Sequence, residues 1–497
     1  MSWPYRIKFP TPEEKIQNRI LLDRYGLYAQ LSIFIPVVLY NVYRLAIWVY
    51  SERQRSKVDY DALPSSPTSK KKRASRSAEG KRKIRSVVWW LGGEVAPGRG
   101  ERGQWILAGL WGAWLGFLCV HKTGDDYFHI TKRFGIVAAS QFPAHYALSM
   151  KSLYSPLSVL FGSSHEQLNT WHRISGRVIW TLLACHASWY ANGWIQIGVL
   201  YIKITTPIII CGILSFWLIN LLIVTSLPIV RRWSYRVFFT IHLFVAIAII
   251  PLLFFHATAL RIYILEALAL FVIDLGIRKF NTVKAFATIK PVPETSLVEV
   301  TIPITPSKIS QFQYAPGQHV YLSIPPSSVP KSTGKARPPL NIEGPYGTSR
   351  KFPNLAEKFD RVLLVAGGVG ATFTLPIYRA VKQEMENEGR IASHVRMIWV
   401  MRDAAESSWA LSSSPQNENS EAKIENNQGL ELYITSPRTS HSTSTSSFDG
   451  TFCQGLEEKV AVLVCGPTGM ARELREHVGK WVEKGREVWW HDEGFGW

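Results

Sequence analysis

The chain has 497 residues, of which 47% are hydrophobic and 12% aromatic, and it carries a formal net charge of +19. At roughly 150 residues per domain this length implies about three units rather than one core. Five cysteines in so long a chain cannot form a disulfide framework, and the aromatic content without a Gly-X-Y period excludes disordered and collagen-like classes. The apolar residues are unevenly spread, with long uncharged runs before Phe280 and ordinary mixed sequence after it, which excludes a purely soluble protein.

A bilayer crossing takes about 20 mostly apolar residues. Residues 27–50, 207–230, 237–255 and 260–277 meet or approach this; residues 105–120, 134–160 and 172–194 are weaker, so that seven spans are expected. Residues 1–26 are charged and lack a signal-peptide core, so the first span is expected to stay as an anchor. Lys and Arg beside spans set orientation. Between residues 51 and 103 there are 14 Lys plus Arg against 6 Asp plus Glu, including Lys70, Lys71, Lys72 and Arg73, which predicts a cytosolic loop. Arg231, Arg232, Arg236, Arg278 and Lys279 fall on the same side if seven spans alternate, placing the amino terminus outside and everything after Phe280 in the cytosol. The basic run from Lys70 to Arg85 then reads as a topology determinant among lipid headgroups, not as a nucleic-acid site.

Four histidines lie in the expected spans: His172 and His186 in the fourth, His242 and His256 in the sixth, each pair 14 residues apart. Fourteen helical residues return to within about 40° of the starting direction and climb about 21 Å. Each helix therefore presents two imidazoles on one face, near opposite leaflets. The fourth and sixth spans run in the same direction, which stacks two bis-histidine sites across the bilayer. Neutral imidazole is an axial ligand for haem iron. Spacing alone is weak, since a third pair, His477 and His491, has it in the soluble part; the alternative is buried histidines satisfied by hydrogen bonds. Cys119, Cys185 and Cys211 read as packing residues of the spans.

After Phe280, residues 361–366 read as a buried strand, followed by Gly367-Gly-Val-Gly-Ala-Thr372 and a helix from about Phe373 to Glu388. Strand, glycine turn and helix is the context in which backbone N–H groups approach a pyrophosphate. Residues 460–467 with a helix to about Lys484 repeat the pattern and predict a doubly wound nucleotide domain. Residues 411–427 and 436–449, rich in Ser, Thr and Asn, read as surface inserts. Residues 315–322 and 342–347 look like strand and turn pieces of a small antiparallel barrel.

Together these motifs resemble one family. "TKRFG", "HRISGR" with its downstream histidine, the sixth-span histidine pair, "PGQHV", "EGPYG", "AGGVGAT", "CGPTG" and the closing "HDEGFGW" make the chain similar to fungal transmembrane ferric-chelate (ferric or cupric) reductases, relatives of the NADPH oxidases. The resemblance implies a multi-domain membrane protein. An anchor span and basic loop (1–103) would precede an α-helical haem domain (104–280), a FAD-binding β-barrel (281–350) and an α/β NADPH-binding domain (351–497). It implies that NADPH reduces FAD, that two b haems held by the four histidines carry single electrons outward, and that an extracytosolic ferric or cupric chelate accepts them. A multicopper oxidase and iron permease would act downstream, and the membrane would be the plasma membrane. Oxygen as acceptor, giving superoxide, is the alternative.

Carried over by position, the resemblance assigns Gly367, Gly368, Gly370 and Thr372 to the NADPH pyrophosphate and Cys465 and Gly466 to the nicotinamide. It assigns Pro316, Gly317, Gln318 and Gly344 to FAD, and Trp497 to covering the flavin. Arg133 would neutralise a haem propionate or snorkel to the headgroups. One departure stands out: the family's His-Pro motif that grips FAD is missing, and only residues 325–341, with Pro325, Pro326, Pro330, Pro338 and Pro339, bridge the gap as a poor strand. The barrel is therefore expected to be truncated, through a missing exon or in a degenerate copy without flavin.

Overall fold

The computed structural model describes residues 5–55, 76–96, 98–152, 155–312, 315–324, 338–347, 349–390, 394–411, 429–435 and 458–494. The chain forms two compact units: residues 1–69 with 104–280, and residues 70–103 with 281–496.

The first unit opens with α1 (Pro12–Leu31) and α2 (Phe34–Arg55); α3 (Arg76–Leu91) belongs to the second unit. The chain continues through α4 (Arg102–Val120), α5 (Tyr127–Ala139), α6 (Phe142–Ser149), α7 (Pro156–Phe161) and α8 (His165–Gln196). It then forms α9 (Leu200–Ile204), α10 (Pro207–Thr225), α11 (Pro228–Trp233), α12 (Tyr235–His256) and α13 (Arg261–Asn281). Local chemistry sets several starts. Thr11 and Glu14 cap α1 reciprocally, and Ser164 and Gln167 do the same for α8, satisfying N–H groups that a first turn leaves free. Prolines sit in the first turn of α6, α7, α10 and α11, where no N–H is needed.

Among the described residues, four helical stretches are long and apolar enough to cross a bilayer: Pro12–Val49, Arg102–Val120, Pro207–Thr225 and Tyr235–His256. The expected spans 134–160, 172–194 and 260–277 are not among these four, the last two lying in α8 and α13, and two of the expected spans are broken by turns. The first helical stretch begins at Pro12 and turns at Ser32 and Ile33 instead of running unbroken over 27–50. Residues 134–160 are not one helix. The chain turns at Ser140 and Gln141, where the Gln141 amide donates to the Ala29 carbonyl at 3.2 Å, and Pro143 then seeds α6. α5 is buried along almost its whole length and packs against α1 and α8, while α10 packs against α12; their apolar faces share one core.

The second unit holds β1 (Val283–Phe286), β2 (Thr288–Pro291), β3 (Val298–Thr301), α14 (Pro306–Ile309), β4 (His319–Ser323) and β5 (Pro339–Tyr346). β1, β5 and β4 form one antiparallel sheet in that order, and β2 pairs with β3. Pro339 to Asn341 are strand, contrary to the expectation for 325–341. Pro339 is the first residue of β5, opposite Phe286, where a missing N–H costs the ladder little. Residues 325–337 lie outside the described residues.

The nucleotide-type domain follows with α15 (Leu355–Lys358), β6 (Arg361–Gly367), α16 (Ala371–Asn387), β7 (Val395–Met401), α17 (Ser408–Leu411), β8 (Leu430–Ile434), β9 (Val460–Cys465), α18 (Thr468–Glu483) and β10 (Val488–Glu493). Its five parallel strands run β10-β9-β6-β7-β8, so the strand order reverses between β6 and β9. Ligand crevices of doubly wound sheets open at that reversal, outside the carboxyl ends of the strands.

The segment expected only to set topology has a structural role. α3 packs on α18, with Trp89 edge-on to Trp490 at 5.9 Å and the Arg475 guanidinium 4.2 Å from the Trp89 ring centre. Arg475 also donates to the Trp89 carbonyl at 3.1 Å, and a Cβ at Gly479 would stand 2.9 Å from Trp89 Nε1. Residues 70–103 thus pack with 281–496, not with the anchor helix of the expected 1–103 domain. Trp89→Ala should destabilise the second unit by about 2 kcal/mol, below the cost of a fully buried tryptophan. Thermal denaturation of the full chain checks this, and an unchanged midpoint would remove α3 from the fold's support.

Candidate functional site

α8 and α12 make little backbone contact and meet instead through imidazoles. His172 faces His242 with ring centres 6.2 Å apart and planes at 62°. Fourteen residues further along both helices, His186 faces His256 at 6.5 Å and 87°. Two imidazoles that shared one metal ion through their Nε2 atoms, at metal–nitrogen distances of about 2.0 Å, would stand with ring centres roughly 6 Å apart. Both pairs match that separation.

Each of the four rings is held by its Nδ1. His172 donates to the His145 carbonyl at 3.1 Å, His186 to Thr131 at 2.8 Å and His256 to Ile208 at 2.9 Å, while His242 Nδ1 lies 3.3 Å from the Ser226 hydroxyl. A carbonyl only accepts, so Nδ1 carries the proton in the first three and the Nε2 lone pair is left for a metal. Glycines make room behind the His186 and His256 rings. A Cβ at Gly135 would lie 2.7 Å from His186 Nδ1, and one at Gly212 would overlap the His256 ring.

Sequence reasoning missed His145, which lies within the expected span 134–160. Its ring stacks on His172 at 4.0 Å and 16°, with Nδ1 2.8 Å from Ser175 Oγ. The available signal was Gly176 of "HRISGR", whose missing Cβ would stand 3.1 Å from that ring. Arg133 does not snorkel. It is fully buried, donates to the Leu118 carbonyl at 3.1 Å, lies 3.1 Å from His129 Nε2 and holds its guanidinium 3.8 Å from the Tyr25 ring centre. Its Nε has no partner among the described residues. A buried cation with an orphaned donor suits an anionic group such as a propionate.

In the second unit the glycines divide by role. Gly368, with φ +54°, has open space where a Cβ would be and precedes α16. Trp399 Nε1 donates to its carbonyl at 2.9 Å, fixing the turn. Gly367 and Gly466 instead pack against each other, and Gly370 lies against the Cys465 backbone and sulfur. Thr372 Oγ1 is tied to the Val369 carbonyl at 2.8 Å. The Cys465 side chain is fully buried in the sheet core, and burial pushes its thiol up to about 12. Gly317, with φ +81°, is filled by Ile377 and Phe373 of α16, and Gly344 faces Val320 and the His319 carbonyl. Gln318 closes its own turn by accepting from Ala315 N at 2.9 Å, with Pro316 between them. Cys119, Cys185 and Cys211 are unpaired thiols, Cys119 in the first unit's core. His477 and His491 bond locally, to the Glu473 carbonyl and to Glu493, and do not face each other as the membrane pairs do. Trp497 and most of the two expected inserts lie outside the described residues.

Two family profiles match the chain. "Ferric reductase like transmembrane component" covers residues 134–253 and "Ferric reductase NAD binding domain" covers 359–455. A probable metalloreductase AIM14 of Meyerozyma guilliermondii is 25% identical over 330 residues, 61% of this chain and 64% of that protein. A probable cell surface ferric reductase kap2 of Aspergillus oryzae is 26% identical over 337 residues, 56% and 44% of the two chains. Ferric reductase transmembrane component 1 of Schizosaccharomyces pombe is 27% identical over 203 residues, 39% and 34%. Over these stretches the chain is similar to fungal ferric reductases and metalloreductases. Its matches span less than two thirds of the length of these relatives. The transmembrane profile takes in Gly135, His145, His172, His186, Gly212 and His242 and ends just short of His256.

Two outcomes follow for the nucleotide unit of this ferric reductase relative. Gly368→Asn, which tolerates a positive φ, should weaken nicotinamide-cofactor binding about tenfold at unchanged melting temperature, whereas Gly370→Ala should lower the melting temperature; the reverse pattern would exchange their roles. A Cys465 thiol raised to about 12 stays protonated, so iodoacetamide at pH 8 should modify it only after denaturation. Because the folded value lies above the ordinary one, this thiol's contribution to stability is complete below about pH 9 and declines as pH climbs toward 12.

Proposed function

We propose that this chain is a transmembrane metalloreductase that passes electrons from cytosolic NADPH to extracytosolic ferric or cupric chelates. The observation that carries the reading is the pair of facing imidazole sets on α8 and α12, in one chain with a nucleotide-type sheet. His172 and His242 would hold an inner haem and His186 and His256 an outer one; a haem held by two imidazoles carries one electron at a time. Arg133 would offset a propionate charge. The seven-span topology with a cytosolic second unit belongs to this proposal, supported by the charge of residues 51–103. The kap2 relative's description as a cell surface reductase supports the plasma membrane.

At the entry side, Gly368 supplies the open backbone for the NADPH pyrophosphate at the start of α16, where partial positive charge favours an anion. NADPH gives up two electrons whereas a haem would take one, and the resemblance implies FAD as the group that would divide them. The described strands of 281–350 form two separate small sheets, and Gly317 and Gly344 face protein instead of a cleft. These residues do not fit a flavin grip of the family's kind.

The purified full chain should carry two low-spin haems, and His256→Ala or Gly212→Val should lower the haem-to-protein ratio to about one by pyridine haemochrome assay. Cells expressing the chain should reduce a membrane-impermeant ferric chelate. A protein with no haem absorbance, or with a ratio unmoved by His256→Ala, would defeat the assignment.

A further inference from the structure

The first unit contains a cavity of about 610 Å³ built where α1, α5, the end of α8 and α9 converge. Five cationic side chains line it, Lys8, Lys15, Arg19, Lys132 and Lys203, against one carboxylate, Asp126. That carboxylate is committed: it accepts from Phe128 N at 2.9 Å and His129 N at 3.1 Å as the cap of α5. Lys8 is paired with Asp125 and Arg19 with Asp23. Lys15, Lys132 and Lys203 have no carboxylate within ion-pair distance among the described residues. The cavity therefore concentrates positive potential with little internal compensation, which raises the local concentration of anions.

Four aromatic side chains also line it, Phe9, Phe128, Tyr190 and Trp194, with Pro10, Asn18, Leu22, His129 and Ile197 completing the wall. Tyr190 joins the cavity to the outer imidazole pair, its ring 5.0 Å from that of His186. Lys132 adjoins Thr131, whose carbonyl holds His186. Under the topology proposed above the cavity opens on the extracytosolic side, the side on which Lys and Arg are ordinarily sparse beside spans. A cationic cluster there calls for a ligand, and the volume suits a small chelate.

We propose that this cavity is the acceptor site and that it selects ferric chelates whose ligands are carboxylates and whose net charge is negative. The inference rests on the metalloreductase reading for its direction of electron flow. One NADPH, oxidised to NADP⁺ with release of one proton, supplies two electrons; two docked chelates each take one, and each Fe(III) becomes Fe(II). Lys15, Lys132 and Lys203 hold the carboxylates, and the aromatic wall fills the space between them and His186.

The test uses the full chain in nanodiscs and gallium(III) citrate, a redox-inert stand-in for the ferric complex, so binding is read without any electron transfer. Equilibrium dialysis should show saturable binding that weakens with added salt, and the Lys15→Gln, Lys132→Gln, Lys203→Gln triple variant should bind about tenfold more weakly. The corresponding triple arginine variant should keep the affinity, and the neutral gallium(III) maltolate complex should not bind. No binding to the natural chain, or equal affinity in the glutamine variant with its haem spectrum intact, overturns the site. Binding as expected without reduction of ferric citrate would leave the site standing and defeat the metalloreductase reading.

Discussion

The hydrogen bond from a histidine Nδ1 to a neighbouring helix's backbone is the interaction on which the membrane unit is organised. In hydrocarbon an unpaired N–H is costly, so each imidazole needs an acceptor, and the acceptor it finds fixes tautomer, ring plane and the direction of Nε2 at once. For three of the four rings the acceptor is a backbone carbonyl of another helix, His145 of α6, Thr131 of α5 and Ile208 of α10, while His242 Nδ1 meets the Ser226 hydroxyl just past α10. This explains the pairing of the bundle. α8 is buttressed by α5 and α6 and α12 by α10, while α8 and α12 stay apart and meet only through rings. Gly135 and Gly212 follow from the same constraint, because a side chain there would push the imidazole off its carbonyl.

In the nucleotide unit the decisive constraint is close approach of backbone to backbone. β6 and β9 are neighbours whose carboxyl ends carry Gly367, Gly370 and Gly466, and these glycines are consumed by packing the two strand ends and α16 together. Of the glycines in the turn 367–370, that tight seam leaves only Gly368 with open space where a side chain would be. A glycine-rich turn is thus mostly architecture, with a single position left for a ligand. Cys465 belongs to the architecture as well, since its sulfur fills the space beside Gly370.

The basic loop between the first two long helices shows how charge and packing coexist in one segment. Arg82 donates to the Glu483 carbonyl and Arg85 pairs with Glu487 at 3.6 Å, while Trp89 joins the apolar cluster under α18. The cationic residues of this segment therefore also dock a helix within the second unit.

The sequence by itself determined the elements whose limits are set by local chemistry. β9 runs over 460–465 as read, β6 and α16 differ from expectation by one or two residues, and α18 ends at Glu483, because apolar runs, glycine turns and prolines act over a few neighbouring residues. It also determined that His172 and His186 share one helix face, as do His242 and His256, since helical periodicity requires it. The like direction of the two helices also paired His172 with His242 and His186 with His256; only the tertiary structure decided that His145 lies stacked on His172, that Arg133 turns inward over Tyr25, and that Lys15, Lys132 and Lys203 surround one cavity. Those relations join residues far apart in the chain, and no local period or turn signal encodes a distance between helices.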